Sequence, residues 1–446
     1  MASSTDRTKL WVERAGLVVA LTVAMVSAVR AHGARPAAGT LDLRFGDGGV
    51  VRHAVDGFGF QTNGVAVDEQ GRIVVASSAA QNMLDSSFVL TRYRSDGTLD
   101  PTFGDGNQVL SSFPGESANA NALAIQPDGR IVVAGSLATE NTARFALARY
   151  HGNGTLDAHF GAGGVVATDF GSGINFGYSV AIQHDGRIVV SGVVATPDQS
   201  RFLCGVARYE RGGSLDQTFG SGGLAIADFG GFTQSCRSVK IQRDGRIIVG
   251  GMNKDRPGVF SFAVARFDRD GMLDQEFGTG GMTFAHFDGA SDGRSLAIQP
   301  DGKIVLGGLA LLGPNSPQIA GLARWDQHGV LDPTFGVGGL GVAQLPGTRF
   351  AEANAVAIDR VGRILVAGHA DTPDGPGGFL LARYDSDGTP DASFGSGGAV
   401  LTTSVAGSAS GLAILRDGDV VVAGTAGGIA VARYESGPEC DRDFDW

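Results

Sequence analysis

Short apolar runs separated by glycine-rich turns fill most of the chain. Residues 122–126 form one such run, residues 127–129 read Pro-Asp-Gly, and residues 130–135 form a second run rich in β-branched side chains. This pattern is typical of a β-hairpin. Two more runs follow at residues 144–150 and 164–168. We therefore predict a unit of four short antiparallel strands, named a, b, c and d in chain order, with no helix-period segment between units.

The same unit occurs seven times along the chain. Its signature is residues 331–339, Leu-Asp-Pro-Thr-Phe-Gly-Val-Gly-Gly. The phenylalanine of the signature returns every 57 to 59 residues, at Phe45, Phe103, Phe160, Phe219, Phe277, Phe335 and Phe394. A fixed period with four strands per repeat favours radial repetition over a stacked solenoid. The sequence predicts an all-β seven-bladed β-propeller over residues 41–434, with repeats that start near residues 41, 99, 156, 215, 273, 331 and 390.

The two ends of the propeller are expected to share a blade. The first d-type run, residues 49–53, precedes the first strand a, whereas no d-type run follows the last c-type run at residues 429–434. We therefore expect the N-terminal strand to close the last blade. Such closure leaves few open sheet edges, and open edges promote association between chains.

Strand a alternates large and small side chains, so that large residues of one blade pack on small residues of the next. The last small position is alanine in six repeats and lysine in one: Ala66, Ala124, Ala181, Lys240, Ala297, Ala357 and Ala413. A buried charge without a partner is costly. We expect Lys240 to reach into the central channel or to meet a carboxylate.

These motifs resemble those of the delta-60 repeat family, which are bacterial exported β-propeller proteins. The matching residues are Asp185-Gly186-Arg187 with its aliphatic run, then Ala207-Arg208-Tyr209, then residues 215–223, Leu-Asp-Gln-Thr-Phe-Gly-Ser-Gly-Gly. The resemblance covers residues 41–434, and the strand arrangement is also similar to that of NHL-repeat propellers. The local departures are Asp419, Pro390, Trp325 and Phe267. The resemblance implies an exported propeller and no established chemistry.

The first 31 residues are typical of an export signal. Arg7, Lys9 and Arg14 precede an uncharged run over residues 15–29, which is shorter than the roughly 20 residues of a spanning helix. Small residues near Ala31 suit cleavage. We predict a signal peptide at residues 1–31, a linker at 32–40 and an acidic tail at 435–446, with an uncleaved anchor as the alternative. The expected product is a secreted, cell-surface or periplasmic monomer with no membrane span after cleavage.

The charge of the chain argues against nucleic acid as a partner. The formal net charge is -11, and removal of residues 1–31, with four basic and two acidic residues, moves it to -13. An acidic body without a basic stripe repels phosphate backbones. We expect an extracellular or envelope glycan, peptide or protein as the partner.

The three cysteines, Cys204, Cys236 and Cys440, cannot all pair within one chain. Cys204 occupies the strand c position that is phenylalanine in four other repeats, namely Phe88, Phe145, Phe262 and Phe379. We expect a buried apolar thiol at Cys204, and a disulfide between two of the cysteines is the alternative.

Residues that recur in every repeat are expected to hold the scaffold. The recurring arginines are Arg92, Arg149, Arg208, Arg266, Arg324, Arg383 and Arg433. The recurring aspartates are Asp42, Asp100, Asp157, Asp216, Asp274, Asp332 and Asp391. We predict an arginine clasp onto the aspartate or a backbone carbonyl, since arginine suits partly buried bidentate pairs. Sevenfold ligand binding is the alternative.

One turn is a weak calcium candidate. Asp385, Asp387 and Asp391 are closely spaced carboxylates, and such oxygens can surround one hard cation. An ordinary aspartate-rich turn is the alternative. No other cofactor is expected.

A ligand site is expected where the copies differ. Eight residues before each turn glycine lies a polar position that we call the axis row: Asn63, Asn121, Tyr178, Arg237, Arg294, Asn354 and Ser410. Together with Lys240 and Glu352, these residues are the predicted ligand-binding set. We expect the d-to-a and b-to-c loops to lie on the same face, here called the variable face, with exposed aromatics such as Phe58 and Phe232. The interpretation is a binding or scaffold module on the variable loop face.

The alternative function is a propeller hydrolase or lyase, lactonase-like, with an axial metal site. Such a site needs His, Asp or Glu side chains that converge on the axis. None of the eight histidines occupies the axis row, and the chain has no Gly-x-Ser-x-Gly elbow or phosphate loop. No catalytic residue is predicted.

Overall fold

The computed structural model describes residues 36–54, 59–82, 85–256, 259–313, 316–343, 348–373 and 375–437. All regular elements in these ranges are β-strands, 28 in number. No helix in the described ranges has the length and apolar character needed to cross a membrane. The predicted signal peptide, Phe58, Cys440 and most of the acidic tail lie outside the described residues.

The strands are numbered β1 to β28 in chain order and fall into the four predicted types. The a strands are β2 (Gly59–Val67), β6 (Ser117–Ile125), β10 (Asn175–Ile182), β14 (Thr233–Ile241), β18 (Ser291–Ile298), β22 (Phe350–Ile358) and β26 (Ser408–Ile414). The b strands are β3 (Ile73–Asn82), β7 (Ile131–Ala138), β11 (Ile188–Ala195), β15 (Ile247–Arg256), β19 (Ile304–Leu311), β23 (Ile364–Thr372) and β27 (Val420–Thr425). The c strands are β4 (Asp85–Tyr93), β8 (Ala143–Tyr150), β12 (Phe202–Tyr209), β16 (Val259–Phe267), β20 (Gln318–Trp325), β24 (Gly375–Tyr384) and β28 (Ile429–Tyr434). The d strands are β5 (Gln108–Ser111), β9 (Val165–Thr168), β13 (Leu224–Ala227), β17 (Met282–Ala285), β21 (Leu340–Ala343), β25 (Ala399–Thr402) and β1 (Val50–His53).

The described strands form six hydrogen-bonded sheets built from four-stranded antiparallel units. Five sheets have four strands each, and the sixth has eight. The larger sheet consists of two units, β10 to β13 and β14 to β17, linked by one parallel bridge between Phe202 and Thr233. This joining differs from the expectation of separate sheets. It arises because the start of strand c in one unit lies beside the start of strand a in the next.

The first and last strands of the described chain pair with each other. β1 pairs with β28 in antiparallel register, with Val50 opposite Ala432 and His53 opposite Ile429. The sheet order is β1-β28-β27-β26. β1 thus takes the outer position that a d strand holds in the other units.

The hydrophobic clusters lie between units rather than within them. One cluster combines Phe88 and Phe103 with Ala120 and Val133 of the following unit. The signature phenylalanines at all seven positions are fully buried. Phe335 lies against the turn glycine Gly388 of the next unit, where a Cβ atom would come within 2.3 Å of the ring, and this glycine has a positive φ of 90°. A side chain at this position is excluded both by the ring and by the backbone conformation.

The a strands approach one another closely through their small residues. A Cβ atom built on Gly64 would lie 2.8 Å from the side chain of Leu123 on the neighbouring strand. At equivalent positions, serine hydroxyls accept backbone N–H groups of the next strand a: Ser238 Oγ accepts Leu296 N at 3.1 Å, and Ser295 Oγ accepts Val356 N at 2.9 Å. These contacts hold neighbouring a strands close together.

The expected free thiol at Cys204 is wrong. Cys204 on β12 forms a disulfide with Cys236 on β14, with Cα atoms 5.1 Å apart, and both residues are fully buried. In four other units the position of Cys204 holds phenylalanine and the facing position of Cys236 holds a small residue, as in the pairs Phe88 and Ala120 or Phe379 and Ala409. Two half-cystines therefore fill the space of one large and one small side chain.

Candidate functional site

Each strand a contains one β-bulge, where it has one residue more than the strand b that it pairs with. In β14, Cys236 pairs with Gly251 and Ser238 pairs with Gly250, so Arg237 is the extra residue. A bulge bends the strand and redirects the side chain of the extra residue. The seven bulge residues are Asn63, Asn121, Tyr178, Arg237, Arg294, Asn354 and Ser410.

The bulge residues are the seven residues of the axis row, and all of them line one cavity of about 620 Å³. This cavity, here called the central cavity, is lined by residues of all seven a strands. The rest of its wall combines small residues such as Ala122 and Ser179 with aliphatic residues such as Leu123 and Leu412. A polar cavity of this size falls within the range of small-molecule sites. The structure thus brings the predicted ligand-binding set together.

The a strands begin several residues before the axis row. β6 already begins at Ser117 and β22 at Phe350, so residues 117–120 and 350–353 belong to strands. The sequence pattern hides these strand ends because a bulge shifts the alternation of the two strand faces by one residue.

The expected rim of exposed aromatics is largely absent from the described part of the variable face. Phe232 is 63% exposed. Phe113 instead packs edge-on against Phe88 with ring centroids 5.3 Å apart, and Phe350 lies 5.8 Å from the ring of His369. The polar cavity, and not an aromatic rim, is therefore the main feature of this face.

Three polar side chains donate hydrogen bonds to the carboxylate of Glu352, which lines the cavity. Arg294 Nη1 donates to Glu352 Oε2 at 2.6 Å, while Asn354 Nδ2 and Ser408 Oγ donate to Oε1 at 3.0 and 3.1 Å. Arg294 also lies 3.3 Å from Asp292 through its Nε atom. The network joins three successive a strands and neutralises the charge of Glu352.

The pKa values of this pair follow from the network. Burial alone would raise the pKa of Glu352, but the charge of Arg294 and the hydrogen bonds from Asn354, Arg294 and Ser408 hold it below the ordinary value. Burial alone would lower the pKa of Arg294, but Glu352 and Asp292 raise it instead. Both groups are charged at neutral pH.

Arg237 is less firmly held than Arg294. Its guanidinium lies over the ring of Tyr178 at 5.5 Å from the centroid, which is a cation–π distance. Its Nε atom is 3.6 Å from Asp292 Oδ1, and neither of these two buried atoms has a hydrogen-bond partner within the described structure. Arg237 therefore retains donor capacity toward the cavity.

Lys240 lies in the wall of the same cavity, as expected. Lys240 lies three positions after Arg237 on β14. At about 3.3 Å per residue, the two backbone positions are roughly 10 Å apart. Desolvation lowers the pKa of Lys240 below its ordinary value, and no carboxylate contributes to that shift. The side chain of Lys240 is exposed within the cavity.

The two asparagines of the first units are anchored to the next strand. Asn63 Nδ2 donates to the carbonyl of Ala120 at 2.9 Å, and Asn121 Nδ2 donates to that of Gly177 at 2.8 Å. These bonds hold the amide groups in place and leave the amide oxygens as acceptors for the cavity.

Sequence reasoning missed Asp292 and Ser408. Asp292 lies two residues before the axis-row residue Arg294, and Ser408 lies two residues before Ser410, as Glu352 does before Asn354. Residues two apart on a strand share a face. Once the bulge position is known, the residue two positions before it is therefore a candidate for the same site.

A larger groove of about 1400 Å³ lies elsewhere, along β25 and the described segment from Pro36 to Arg44. It lies at the outer edge of one unit and does not collect residues from all seven a strands. Its volume therefore does not make it the better candidate site.

The donors of an axial metal site are not brought together in the described ranges. No group of three or more His, Cys, Asp or Glu side chains there has the arrangement to hold a metal ion, and no histidine lines the central cavity. Two of the three carboxylates of the calcium candidate bind other groups. Asp391 pairs with Arg383 at 2.7 Å, and Asp387 Oδ1 accepts Thr389 N at 2.9 Å and Thr389 Oγ1 at 2.8 Å. The structure does not gather Asp385, Asp387 and Asp391 around one point.

The recurring arginines and aspartates lie on the face opposite the variable face. Six arginines lie 2.7 to 2.9 Å from the aspartate eight residues later, and Arg433 lies 3.3 Å from Asp42. The six pairs join Arg92 to Asp100, Arg149 to Asp157, Arg208 to Asp216, Arg266 to Asp274, Arg324 to Asp332 and Arg383 to Asp391. None of these groups lines the central cavity.

Each of these arginines also contacts a neighbouring unit. Arg383 Nη1 donates to the carbonyl of Ser436 at 2.9 Å, and Arg433 Nη1 donates to that of Ser95 at 3.1 Å. In six units the guanidinium lies 4.5 to 4.7 Å from the centroid of the signature phenylalanine. The geometry gives these residues contacts within and between units.

The fold and the repeats define the chain as a β-propeller repeat protein. Five stretches match the family model described as "Domain of unknown function (DUF5122) beta-propeller", at residues 71–103, 126–160, 242–277, 299–335 and 362–394. A search of curated proteins gives no match.

A search of solved structures gives matches at low sequence identity and with TM-scores below 0.5. Catalytically inactive virginiamycin B lyase from Staphylococcus aureus is 13% identical, with 86% of this chain and 98% of that chain covered and a TM-score of 0.47. The polysaccharide lyase Uly1 is 12% identical, with coverage of 84% and 89% and a TM-score of 0.47. The NanB sialidase from Streptococcus pneumoniae is 10% identical, with coverage of 86% and 70% and a TM-score of 0.39. At this level of similarity the likeness carries no information about activity.

Proposed function

We propose that this protein is a ligand-binding β-propeller whose site is the central cavity below the variable face. One observation carries the proposal: the bulge residues supply seven side chains to one cavity, and they differ from unit to unit while the residues of the opposite face repeat. A site on the axis of a repeat protein needs such differences, because identical residues would present a sevenfold ring of one chemistry. A glycan, a peptide or a protein segment is the expected class of ligand.

We infer that the units close into a ring of seven blades, which gives the cavity a continuous wall. The lining of one cavity by all seven a strands supports this inference, as does the pairing of β1 with β28. A closed ring keeps the bulge side chains at fixed distances from one another, so little ordering is required when a ligand binds.

Export of the protein is part of the proposal. The disulfide between Cys204 and Cys236 supports it, since disulfides persist in oxidising compartments outside the cytosol. The predicted signal peptide at residues 1–31 would direct the chain to export.

The alternative, a hydrolase or lyase, is favoured by one observation at Lys240. An amine of lowered pKa in a cavity has the character of a general base. Binding is the better-supported function because it rests on the side chains of all seven bulge residues, whereas the alternative rests on Lys240 alone.

The proposal is tested with a double variant, Arg237→Ala with Asn121→Ala. It removes two cavity groups and leaves the Arg294–Glu352 pair intact. The matched control is Arg94→Ala with Asn141→Ala, since both residues are exposed and lie outside the cavity. Purified proteins are applied to an array of oligosaccharides and peptides. We expect probes bound by the unaltered protein to be lost by the cavity variant and kept by the control. Undiminished binding by a cavity variant with a normal unfolding midpoint would overturn the proposal.

A further inference from the structure

We propose that the central cavity takes a sugar that carries a carboxylate, of the hexuronic acid class, and that Arg237 and Lys240 receive the carboxylate. The inference rests on the proposed function and narrows it to one class of ligand. Its support comes from the charges, the depth and the hydrogen-bonding groups of the cavity.

The described cavity carries an excess of positive charge. Its cations are Arg237, Lys240 and Arg294, and its anions are Glu352 and the adjoining Asp292. Arg294 is neutralised by Glu352 at 2.6 Å and also lies near Asp292. Asp292 is therefore shared between two arginines, and Lys240 has no carboxylate partner in the described structure. A ligand with a single negative charge would balance the three positive and two negative charges of these side chains.

The two available cations lie on one strand. Arg237 is the bulge residue of β14, and Lys240 follows three residues later toward the a-to-b turn. The position of Lys240 is alanine in the six other a strands, so no other side chain of that row blocks its approach. An anionic group that enters from the variable face passes Arg237 and reaches Lys240. Both cations therefore lie along the path that an anionic group takes into the cavity.

The remaining groups of the cavity suit hydroxyl groups. The amides of Asn63 and Asn121 use their nitrogens on backbone carbonyls and keep their oxygens as acceptors. The ring of Tyr178 offers one flat surface, and Ser410 adds a hydroxyl. A sugar supplies hydroxyl donors to these acceptors and a C–H face to the ring. A sugar carboxylate uses these acceptors through its ring hydroxyl groups, whereas the carboxylate of a peptide has no such row of hydroxyl groups beside it.

The desolvation of Lys240 agrees with this assignment. The surrounding a strands remove part of the hydration of Lys240 and lower its pKa, and no carboxylate opposes that shift. A carboxylate beside the ammonium would supply a counter-charge in a medium where ionic interactions are stronger than in water.

The test compares matched ligands by isothermal titration calorimetry at low salt. D-Galacturonate and D-glucuronate are titrated against the full-length protein, with D-galactose, D-glucose and inorganic phosphate as comparisons. We expect the uronates to bind roughly tenfold or more tightly than the neutral sugars, since a charged hydrogen bond contributes about that factor. Lys240→Ala is expected to remove this preference and to leave the neutral sugars unchanged.

The variants are chosen so that a loss of binding can be distinguished from a failure to fold. Alanine occupies the position of Lys240 in the six other units, so Lys240→Ala is expected to fold. Lys240→Arg retains the charge and should keep a preference for uronates. Lys254→Gln is the control, because Lys254 lies over the ring of Phe260 at 4.8 Å and outside the cavity lining.

The results separate the inference from the proposed function. Equal binding of uronates and neutral sugars, or a uronate preference that survives Lys240→Ala, would overturn the inference. Phosphate binding as tight as that of the uronates, with the same loss in Lys240→Ala, would also overturn it, since the cavity would then be a general anion site. If Arg237→Ala with Asn121→Ala still abolishes binding of an array probe in either case, the proposed function stands.

Discussion

Individual residues of this protein divide into two groups with different roles. The recurring Arg, Asp and Phe residues make the same contacts in almost every unit, while the bulge residues line one cavity and differ. Asp332 is representative of the first group. It pairs with Arg324 at 2.9 Å and with Lys303 at 3.3 Å, and Asp332 Oδ1 accepts Thr334 N at 3.0 Å and Thr334 Oγ1 at 2.7 Å.

The pKa of Asp332 links this cluster to pH. Burial alone would raise the pKa, but the bonds from Thr334 and the charges of Arg324 and Lys303 lower it to about 2, from an ordinary value of 3.8. A carboxyl group with a lowered pKa in the folded state stabilises that state above its unfolded pKa. The contribution is lost as the pH falls from about 4 toward 2.

We predict that Asp332→Asn lowers the free energy of unfolding at pH 7 by about 2–3 kcal/mol. The difference from the unaltered protein should shrink as the pH approaches about 2, where Asp332 becomes protonated. Urea denaturation at a series of pH values measures both effects. Asp301→Asn is the control, because Asp301 pairs with the same Lys303 at 3.3 Å but is 55% exposed, and it should change stability by less than about 0.5 kcal/mol. A difference for Asp332→Asn that is constant with pH would contradict the electrostatic explanation.

At the scale of elements, strand a contributes both to the packing between units and to the candidate site. Its small residues let neighbouring strands approach, and its bulge redirects one side chain per unit toward the cavity. Strand c of each unit also contacts strand a of the following unit. In the interface between β12 and β14 a disulfide occupies this contact, where four other interfaces have a phenylalanine and a small residue.

This replacement gives a prediction about stability. The disulfide closes a loop over 32 residues, which in the chain-entropy model stabilises the fold by about 3–4 kcal/mol. Cys204→Ala with Cys236→Ala should lose about that amount, together with the cost of a cavity. Cys204→Phe with Cys236→Ala recreates the pairing of Phe88 with Ala120, and it should recover about 1–2 kcal/mol through renewed burial.

Guanidinium denaturation of the three proteins measures these differences, with and without reductant. Reductant should destabilise only the protein with both cysteines. If the variant with Cys204→Phe and Cys236→Ala is no more stable than the double alanine variant, the interfaces are not interchangeable and the prediction is wrong.

At the scale of the whole molecule, the N-terminal segment belongs to the last sheet. β1 pairs with β28, Arg433 reaches Asp42, and Gly437 lies against Ala38. One cluster joins Phe45 to Ile73 of the first unit and Val431 of the last. The last sheet therefore depends on a segment that is distant in sequence.

We predict that a chain beginning at residue 59 loses about 5 kcal/mol or more of unfolding free energy, because buried apolar surface and an outer strand are removed. Its exposed β28 edge should promote self-association. Re-attachment of residues 36–54 after Gly437 through a short glycine linker should restore both stability and the monomer, since Gly437 already lies against Ala38. Denaturation and light scattering measure the two effects. A re-attached chain as unstable as the shortened one would contradict closure by β1.

The amino-acid sequence by itself determined the repeat, the four-strand unit, the signature phenylalanines and the axis row. These features are local and recur at one period, so each copy supports the interpretation of the others. Only the tertiary structure decided that the axis-row residues are bulges inside strands, that Asp292 and Ser408 join Glu352, and that Cys204 meets Cys236. Each of these depends on which residues of neighbouring units face one another. That is set by strand register and the close approach of the a strands, and the pattern along one unit does not contain it.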